Sequence, residues 1–241
     1  MNKIYSKFIG VGSEGIETLN SYKSKLEKNF TFEEININQD VDKEYVRALL
    51  DGIEVLFISY NSEDKKVKDI VKAISFMATE RRVLSIGLDL SLKENKDDMG
   101  VDKEIKLNKY NFEKIQDLIN MVVEAIDEDI LLSIDLTDLR DIFANDSSIS
   151  YSLESFEKDA KIEYIVKTIT EEVYSTEGEA IKKKALVLYE MPQNLKENEL
   201  LFINEINMKI SDTLGQTYDL LFSFNSINSD DNKFKICLLT K

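Results

Sequence analysis

Histidine is absent from the 241 residues, and cysteine and proline occur once each. Without an imidazole there is no histidine acid or base near neutral pH, and the zinc ligand sets built from histidine and cysteine are excluded. The single cysteine, Cys237, permits no disulfide framework. It sits in the apolar run "KICLLT" near the C-terminus and reads as a small buried residue, not a nucleophile, since no histidine exists to activate it. Eight glycines are few for this length, so glycine-dependent ligand loops must be scarce. No window approaches the eighteen or so apolar residues of a membrane span, and "MNKIYSKFIGVG" holds no apolar stretch long enough for a secretion signal. A reducing, cytoplasmic setting with no membrane partner is expected.

Basic residues are also in deficit. Against 46 acidic residues stand 31 lysines and arginines, a formal charge of −15. Nucleic-acid binding rests on neutralising phosphates with lysine and arginine, so no nucleic-acid partner is expected, and a basic or neutral protein fits better. With 43% hydrophobic residues the chain holds enough for a packed core, as one large domain or two small ones.

The apolar pattern gives the order of elements. Lys3 to Val11 ends in glycines and leads into a helical pattern from Ile16 to Leu26, and Phe32 to Ile37 alternates as a strand. After a short helix around Tyr45 to Leu50, "IEVLFISY" from Ile53 is a continuous apolar run of the kind buried in a parallel sheet. Val67, Ile70, Val71, Ile74 and Met77 then fall at helical spacing, and "RVLSIGLDL" from Arg82 is another strand. Strands alternating with helices predict a parallel α/β sheet. The charged stretch Ser91 to Lys103 reads as an exposed loop, Glu104 to Leu107 as a short strand, and Phe112 to Ile126 as a helix with one apolar stripe. Beyond the acidic break the character changes. "SISYSLESF" alternates as a strand, Ile162 to Val173 is helical, "KALVLYEM" is a strand and Glu197 to Leu214 is helical. "YDLLFSFNSI" and "KFKICLLTK" follow as two strands joined by the polar turn "NSDDN". The expected organisation is residues 1–110 as a Rossmann-like parallel α/β domain, 111–129 as a linking helix and acidic loop, and 130–241 as a smaller mixed-sheet α+β domain.

Gly10, Gly12 and Gly15 in "IGVGSEG" form G-x-G-x-x-G, the pattern that lets a phosphate approach backbone N–H groups. Three readings fit: a tight strand-to-helix turn with nothing bound, a loop for a nucleotide, or a dinucleotide site whose ribose partner is Glu33 or Glu34. Asp135 can cap a helix starting near Leu136, where the helix dipole favours a carboxylate, or serve at an interface; the two are compatible. Asp127, Glu128 and Asp129 read as a solvated loop, and the acidic spacing matches no dedicated calcium site. Lys65, Lys66 and Lys68 read as the wet face of a helix, and Lys182, Lys183 and Lys184 as charged residues flanking a strand.

Three segments, in this order, resemble the division GTPase FtsZ and its tubulin relatives. "FIGVGSEG" looks like the family's opening phosphate loop. "SIDLTDLRDIF", from Ser133, looks like its synergy loop, the N-x-D-x-x-D segment that completes a neighbouring subunit's GTPase site. The closing "TYDLLFSFNSINSDDNKFKICLLTK" is similar in rhythm to the last hairpin of its C-terminal domain. The likeness spans nearly the whole chain and implies an FtsZ/tubulin-like fold.

The departures shape the functional expectation. Where the family places its glycine–threonine loop, this chain has "YNSEDKKVKD", with no glycine and with Glu63 and Asp64 set against a polyphosphate. In the first loop Ser13, Glu14 and Ile16 interrupt the glycines, and Glu17 takes the place of the family's asparagine. At an effective dielectric near 20, a carboxylate about 4 Å from a phosphate charge costs roughly 4 kcal/mol. The segment between Gln39 and Val46 is shorter than its counterpart in the family. Gly10, Gly12 and Gly15 are therefore expected as vestigial nucleotide-binding positions with no cofactor. Asp135 and Asp138, with Ser133 in place of the family's asparagine, keep a synergy-like interface. The resemblance thus implies a non-hydrolysing FtsZ-like protein with no catalytic residue and no metal. Its expected partner is FtsZ or itself, through a one-sided longitudinal contact that caps or modulates filaments in cell division. The chain stops at its last strand, so no membrane tether of its own is expected. Two alternatives stand beside this: a GTPase that binds GTP or GDP and hydrolyses it on assembly, and a nucleotide-free homo-oligomeric scaffold.

Overall fold

A computed structural model describes residues 6–26, 30–93, 97–127, 129–143, 150–171, 183–193, 198–215, 218–228 and 232–241. The chain divides into two compact units, Met1–Asn120 and Met121–Lys241.

In the first unit the apolar runs become five strands: β1 (Ser6–Val11), β2 (Phe30–Ile35), β3 (Val55–Tyr60), β4 (Leu84–Asp89) and β5 (Lys103–Lys106). All are parallel, in the order β2-β1-β3-β4-β5. β3 and β4 are buried along their whole length, as interior strands of a parallel sheet must be when helices cover both faces. The helices are α1 (Gly12–Lys23), α2 (Lys43–Leu49), α3 (Lys65–Glu80) and α4 (Phe112–Ala125), and the boundary between the units falls inside α4. α3 turns Val67, Val71, Ile74 and Ala78 onto Ile9, Val11, Ile58 and Tyr60, the i, i+4, i+7 stripe its sequence carries. On the other face aromatic rings hold α1 and the start of α4 to the sheet. Tyr22 lies 5.9 Å from Phe8 and stacks on Phe112 at 4.3 Å, and its hydroxyl donates to the Phe112 carbonyl at 2.8 Å.

The second unit holds α5 (Leu136–Phe143), β6 (Ser150–Glu157), α6 (Ile162–Thr170), β7 (Lys183–Pro192), α7 (Glu199–Leu214), β8 (Tyr218–Ile227) and β9 (Lys233–Thr240). Its sheet runs β6-β9-β7-β8, with β7 and β8 parallel and the other pairs antiparallel. Alternate residues of β7 and β9 face α6 and α7, burying Val187, Tyr189, Ile236 and Leu238 against Ile165, Ile169, Ile203, Ile206 and Ile210. Cys237 is fully buried in β9, where loss of solvent pushes its thiol pKa up, as expected of a packing residue.

The structure corrects the closing hairpin. β8 and β9 follow one another in sequence, but β7 lies between them, and β9 pairs with β6 and β7. A polar turn says that the chain reverses, not which strand it pairs with next. Most of the expected "NSDDN" turn, and also Lys3, Glu128, Ser148, Lys182 and Glu197, lies outside the described residues. Lys183 and Lys184 begin an interior strand and do not guard an edge. Lys183 lies over the Tyr218 ring at 5.6 Å, and Lys184 pairs with Asp141 at 2.6 Å. No helix among the described residues is long and apolar enough to cross a membrane.

Candidate functional site

The carboxyl ends of β1, β3 and β4 carry the loops on which a doubly wound sheet places its ligands. At the first of these, Gly10, Gly12 and Gly15 are brought together by the turn from β1 into α1. A methyl group on Gly15 would lie 2.2 Å from the Ser59 carbonyl oxygen, and one on Gly10 would lie 2.6 Å from the Gly15 oxygen. Gly12 has φ +73°, the left-handed region. The Ser59 hydroxyl donates to the Gly15 carbonyl at 2.7 Å, locking α1 against β3. The fold alone therefore demands all three glycines. No side chain caps α1, whose N-cap is Val11.

At the second and third loops, side-chain acceptors receive the backbone amides. Glu63 Oε1 accepts from the amides of Leu92 at 3.0 Å and Lys93 at 3.3 Å. Asp64 caps α3, accepting from Lys66 N–H at 2.8 Å and Val67 N–H at 3.4 Å. Asn61 Oδ1 accepts from Glu63 N–H at 2.9 Å, and the Asn61 side-chain amide donates to both carboxylate oxygens of Glu14. Glu63 and Asp64 do not project as free charges, as the sequence suggested; Glu63 reaches across to the loop after β4, and Asp64 folds back onto the start of α3.

Asp89, at the end of β4, is wholly buried and anchors this network. It accepts from the amide and hydroxyl of Ser62 at 3.0 and 2.9 Å and from the amide and hydroxyl of Ser91 at 3.0 and 2.7 Å. Lys106 Nζ donates to it at 2.9 Å and also reaches the Ser91 hydroxyl. Burial pushes the Asp89 pKa up, but the Ser91 hydroxyl and amide, Lys106 and the Ser62 amide outweigh it and hold the carboxyl below its ordinary value. Beside it the Tyr60 hydroxyl donates to Glu104 at 2.5 Å. Burial raises the Glu104 pKa, and the charge of Asp89 adds to the rise. Asn61, Asp89, Glu104 and Lys106 escaped the sequence reading. The available signal was an aspartate closing the apolar run "RVLSIGLDL", where an unpaired charge would be too costly to bury.

In the second unit, Ser133, Asp135 and Asp138 lie on the segment entering α5. Ser133 and Asp135 are exposed, and Asp138 is half-buried in the first helical turn. Asp135 Oδ1 accepts from Thr137 N–H at 2.6 Å, and its carbonyl accepts from Leu139 N–H at 3.1 Å, so Asp135 caps α5. The hydrogen bonds from Thr137 hold its carboxyl below the ordinary value. The preceding residues are strapped to β8 by a two-way backbone bridge between Leu132 and Phe224, at 3.2 and 3.0 Å. Among the described residues no group of three or more carboxylate, histidine or cysteine side chains is placed to hold a metal.

No protein-family model and no curated protein matches the sequence. The structure is similar to an empty FtsZ dimer from M. jannaschii at TM-score 0.69 and 11% identity, covering 99% of this chain and 88% of that one. The fold is that of FtsZ and its tubulin relatives. A point mutant of M. jannaschii FtsZ matches at TM-score 0.67 and 11% identity over 98% of this chain and 90% of that one. CetZ from Methanosaeta thermophila matches at 0.62 and 10% over 97% and 85%. Near 10% identity the likeness carries the FtsZ/tubulin-like architecture and leaves the chemistry to this chain's own residues.

Proposed function

We propose that this chain is a non-hydrolysing FtsZ-like interaction protein that self-assembles or binds FtsZ filaments, capping or modulating them in cell division. One observation carries the reading. On the loop edge of the first unit, Glu63, Asp64 and Asp89 accept the amides of Leu92, Lys93, Lys66, Val67, Ser62 and Ser91. A polyphosphate would have to displace these carboxylates of the chain itself and then lie beside them, at roughly 4 kcal/mol per charge pair about 4 Å apart at a dielectric of 20. Gly10, Gly12 and Gly15 then serve as a packing turn. The segment with exposed Ser133 and Asp135 and half-buried Asp138, entered from the strap to β8, is the face offered to a partner. The likeness to an FtsZ that forms a dimer supports self-association.

The competing reading, a GTPase acting on assembly, is favoured by the start of α1, which no side chain caps and whose first residue is the left-handed Gly12. Sedimentation of the protein alone and with FtsZ, each with and without GTP, and with phosphate release recorded, tests the proposal. It predicts co-sedimentation or altered FtsZ assembly, with no phosphate released by the protein alone. Stoichiometric protein that neither sediments nor changes FtsZ assembly would overturn it.

A further inference from the structure

The two sheets have four edge strands, β2 and β5 in the first and β6 and β8 in the second. An edge strand presents unpaired backbone groups, and proteins blunt such edges with charge or short length. β5 is four residues long and holds Lys103, Glu104 and Lys106; β2 carries Glu33 and Glu34; β6 carries Glu154 and Glu157. β8 has ten residues, and Asp219 is its single charge. It lacks the usual protection.

The ladder shows where β8 is open. Phe224 exchanges both backbone hydrogen bonds with Leu132, on the side away from β7. By the alternation of a strand, Leu220 and Phe222 point their N–H and C=O groups the same way. Among the described residues none pairs with these groups. Opposite them the strap has already left the edge, because Ile134 donates its N–H to the Ala125 carbonyl at 2.8 Å and the chain enters α5 at Leu136. The side chains of Leu220 and Phe222 pack on the α6–α7 core, so the edge is held extended before anything binds.

Charge selects the occupant. Residues 121–241 carry 24 acidic against 12 basic side chains, and Asp219 on the strand itself is exposed. A second copy would set acidic unit against acidic unit, whereas a lysine- or arginine-bearing segment is attracted. We infer that the β8 edge from Tyr218 to Phe222 is a strand-addition site that takes an extended basic segment of another protein. Main-chain pairing at Leu220 and Phe222, beyond the Lys183 and Lys184 that neighbour Tyr218 and Asp219 on β7, supplies the ladder, and the net negative charge of the unit supplies the preference. The contact is distinct from the Ser133–Asp138 face and goes beyond the functional reading above.

Residue-resolved amide exchange on the full chain tests this with three seven-residue probes. One is an acetylated valine–threonine repeat with lysine at both ends, one is the same peptide N-methylated at alternate residues, and one has glutamate ends. The inference predicts that the lysine peptide slows exchange at Leu220 and Phe222 at least tenfold, while the other two leave it unchanged. Unchanged exchange with the lysine peptide overturns it, as does equal slowing by all three. Slowing that grows with protein concentration in the absence of peptide assigns the edge to a second copy and overturns the basic-segment assignment.

Discussion

The side-chain amide of Asn61 stands 2.9 Å from each carboxylate oxygen of Glu14, tying the first turn of α1 to the loop between β3 and α3. Both residues are in exposed surroundings, so the clasp shapes the loop edge more than it stabilises the fold. Asn61→Ala is expected to cost less than about 1 kcal/mol by urea unfolding, the usual range for a surface hydrogen bond. Because Glu63, Asp64 and Asp89 still take their amides, the variant is also expected to gain no affinity for GTP by calorimetry.

Asp89 and Glu104 lie on neighbouring strands and are predicted to behave oppositely. Asp89 accepts five hydrogen bonds in a fully buried site, so Asp89→Asn leaves donors unmatched and is expected to cost about 3 kcal/mol at pH 7. Its folded pKa lies below its unfolded value, so its contribution is complete above the ordinary carboxylate range near 3.9 and is lost as pH falls through the depressed value. Glu104 has its folded pKa raised, chiefly by burial, so its charged form opposes folding above that pKa and protonation relieves the opposition. Glu104→Gln keeps an acceptor for Tyr60 and is expected not to lower stability at pH 7. Chemical denaturation of both variants from pH 3 to pH 8 checks the two signs; a loss in Glu104→Gln matching that in Asp89→Asn contradicts them.

Gly15 is predicted to be irreplaceable for reasons of packing. Gly15→Ala puts a methyl group 2.2 Å from the Ser59 carbonyl, against backbone that cannot yield. A loss of about 3 kcal/mol is expected, at the upper end for overpacking. Gly52 is the control. Nothing lies within 4 Å of its would-be methyl group, and Gly52→Ala meets only the left-handed φ of +71°, costing about 1–2 kcal/mol. Thermal unfolding of the two variants gives the ranking directly.

Much of the first unit was legible in the sequence because buried parallel strands write themselves as unbroken apolar runs: "VLFISY" became β3, and "LSIGLD" within "RVLSIGLDL" became β4. The start of α5 at Leu136 was legible too, through Asp135 as its cap. The strand order of the second unit was not. β9 lies between β6 and β7 because of contacts between distant segments, and no local turn signal encodes that choice. The loop edge was half legible. Acidic residues read as wet surface, and nothing in the spacing of Glu63 and Asp89 says that their carboxylates meet amides of Leu92 and Ser62 across the edge.

Asp135 and Asp138 separate a local role from an interface role. Asp135→Ala removes the acceptor for Thr137 N–H and is expected to lower the melting temperature, while Asp135→Asn, itself a good cap, retains most of it. Asp138→Asn leaves the cap intact. If the segment is a contact face, Asp138→Asn weakens sedimentation without lowering the melting temperature. Wild-type sedimentation in this variant would remove Asp138 from the interface.

Exclusion of a nucleotide from the loop edge of the first unit by the chain's own carboxylates is tested by titration calorimetry of GTP with magnesium into the purified chain. No saturable heat is expected up to millimolar nucleotide. A one-to-one isotherm with micromolar Kd, abolished by substitution at the β1–α1 turn, would contradict it.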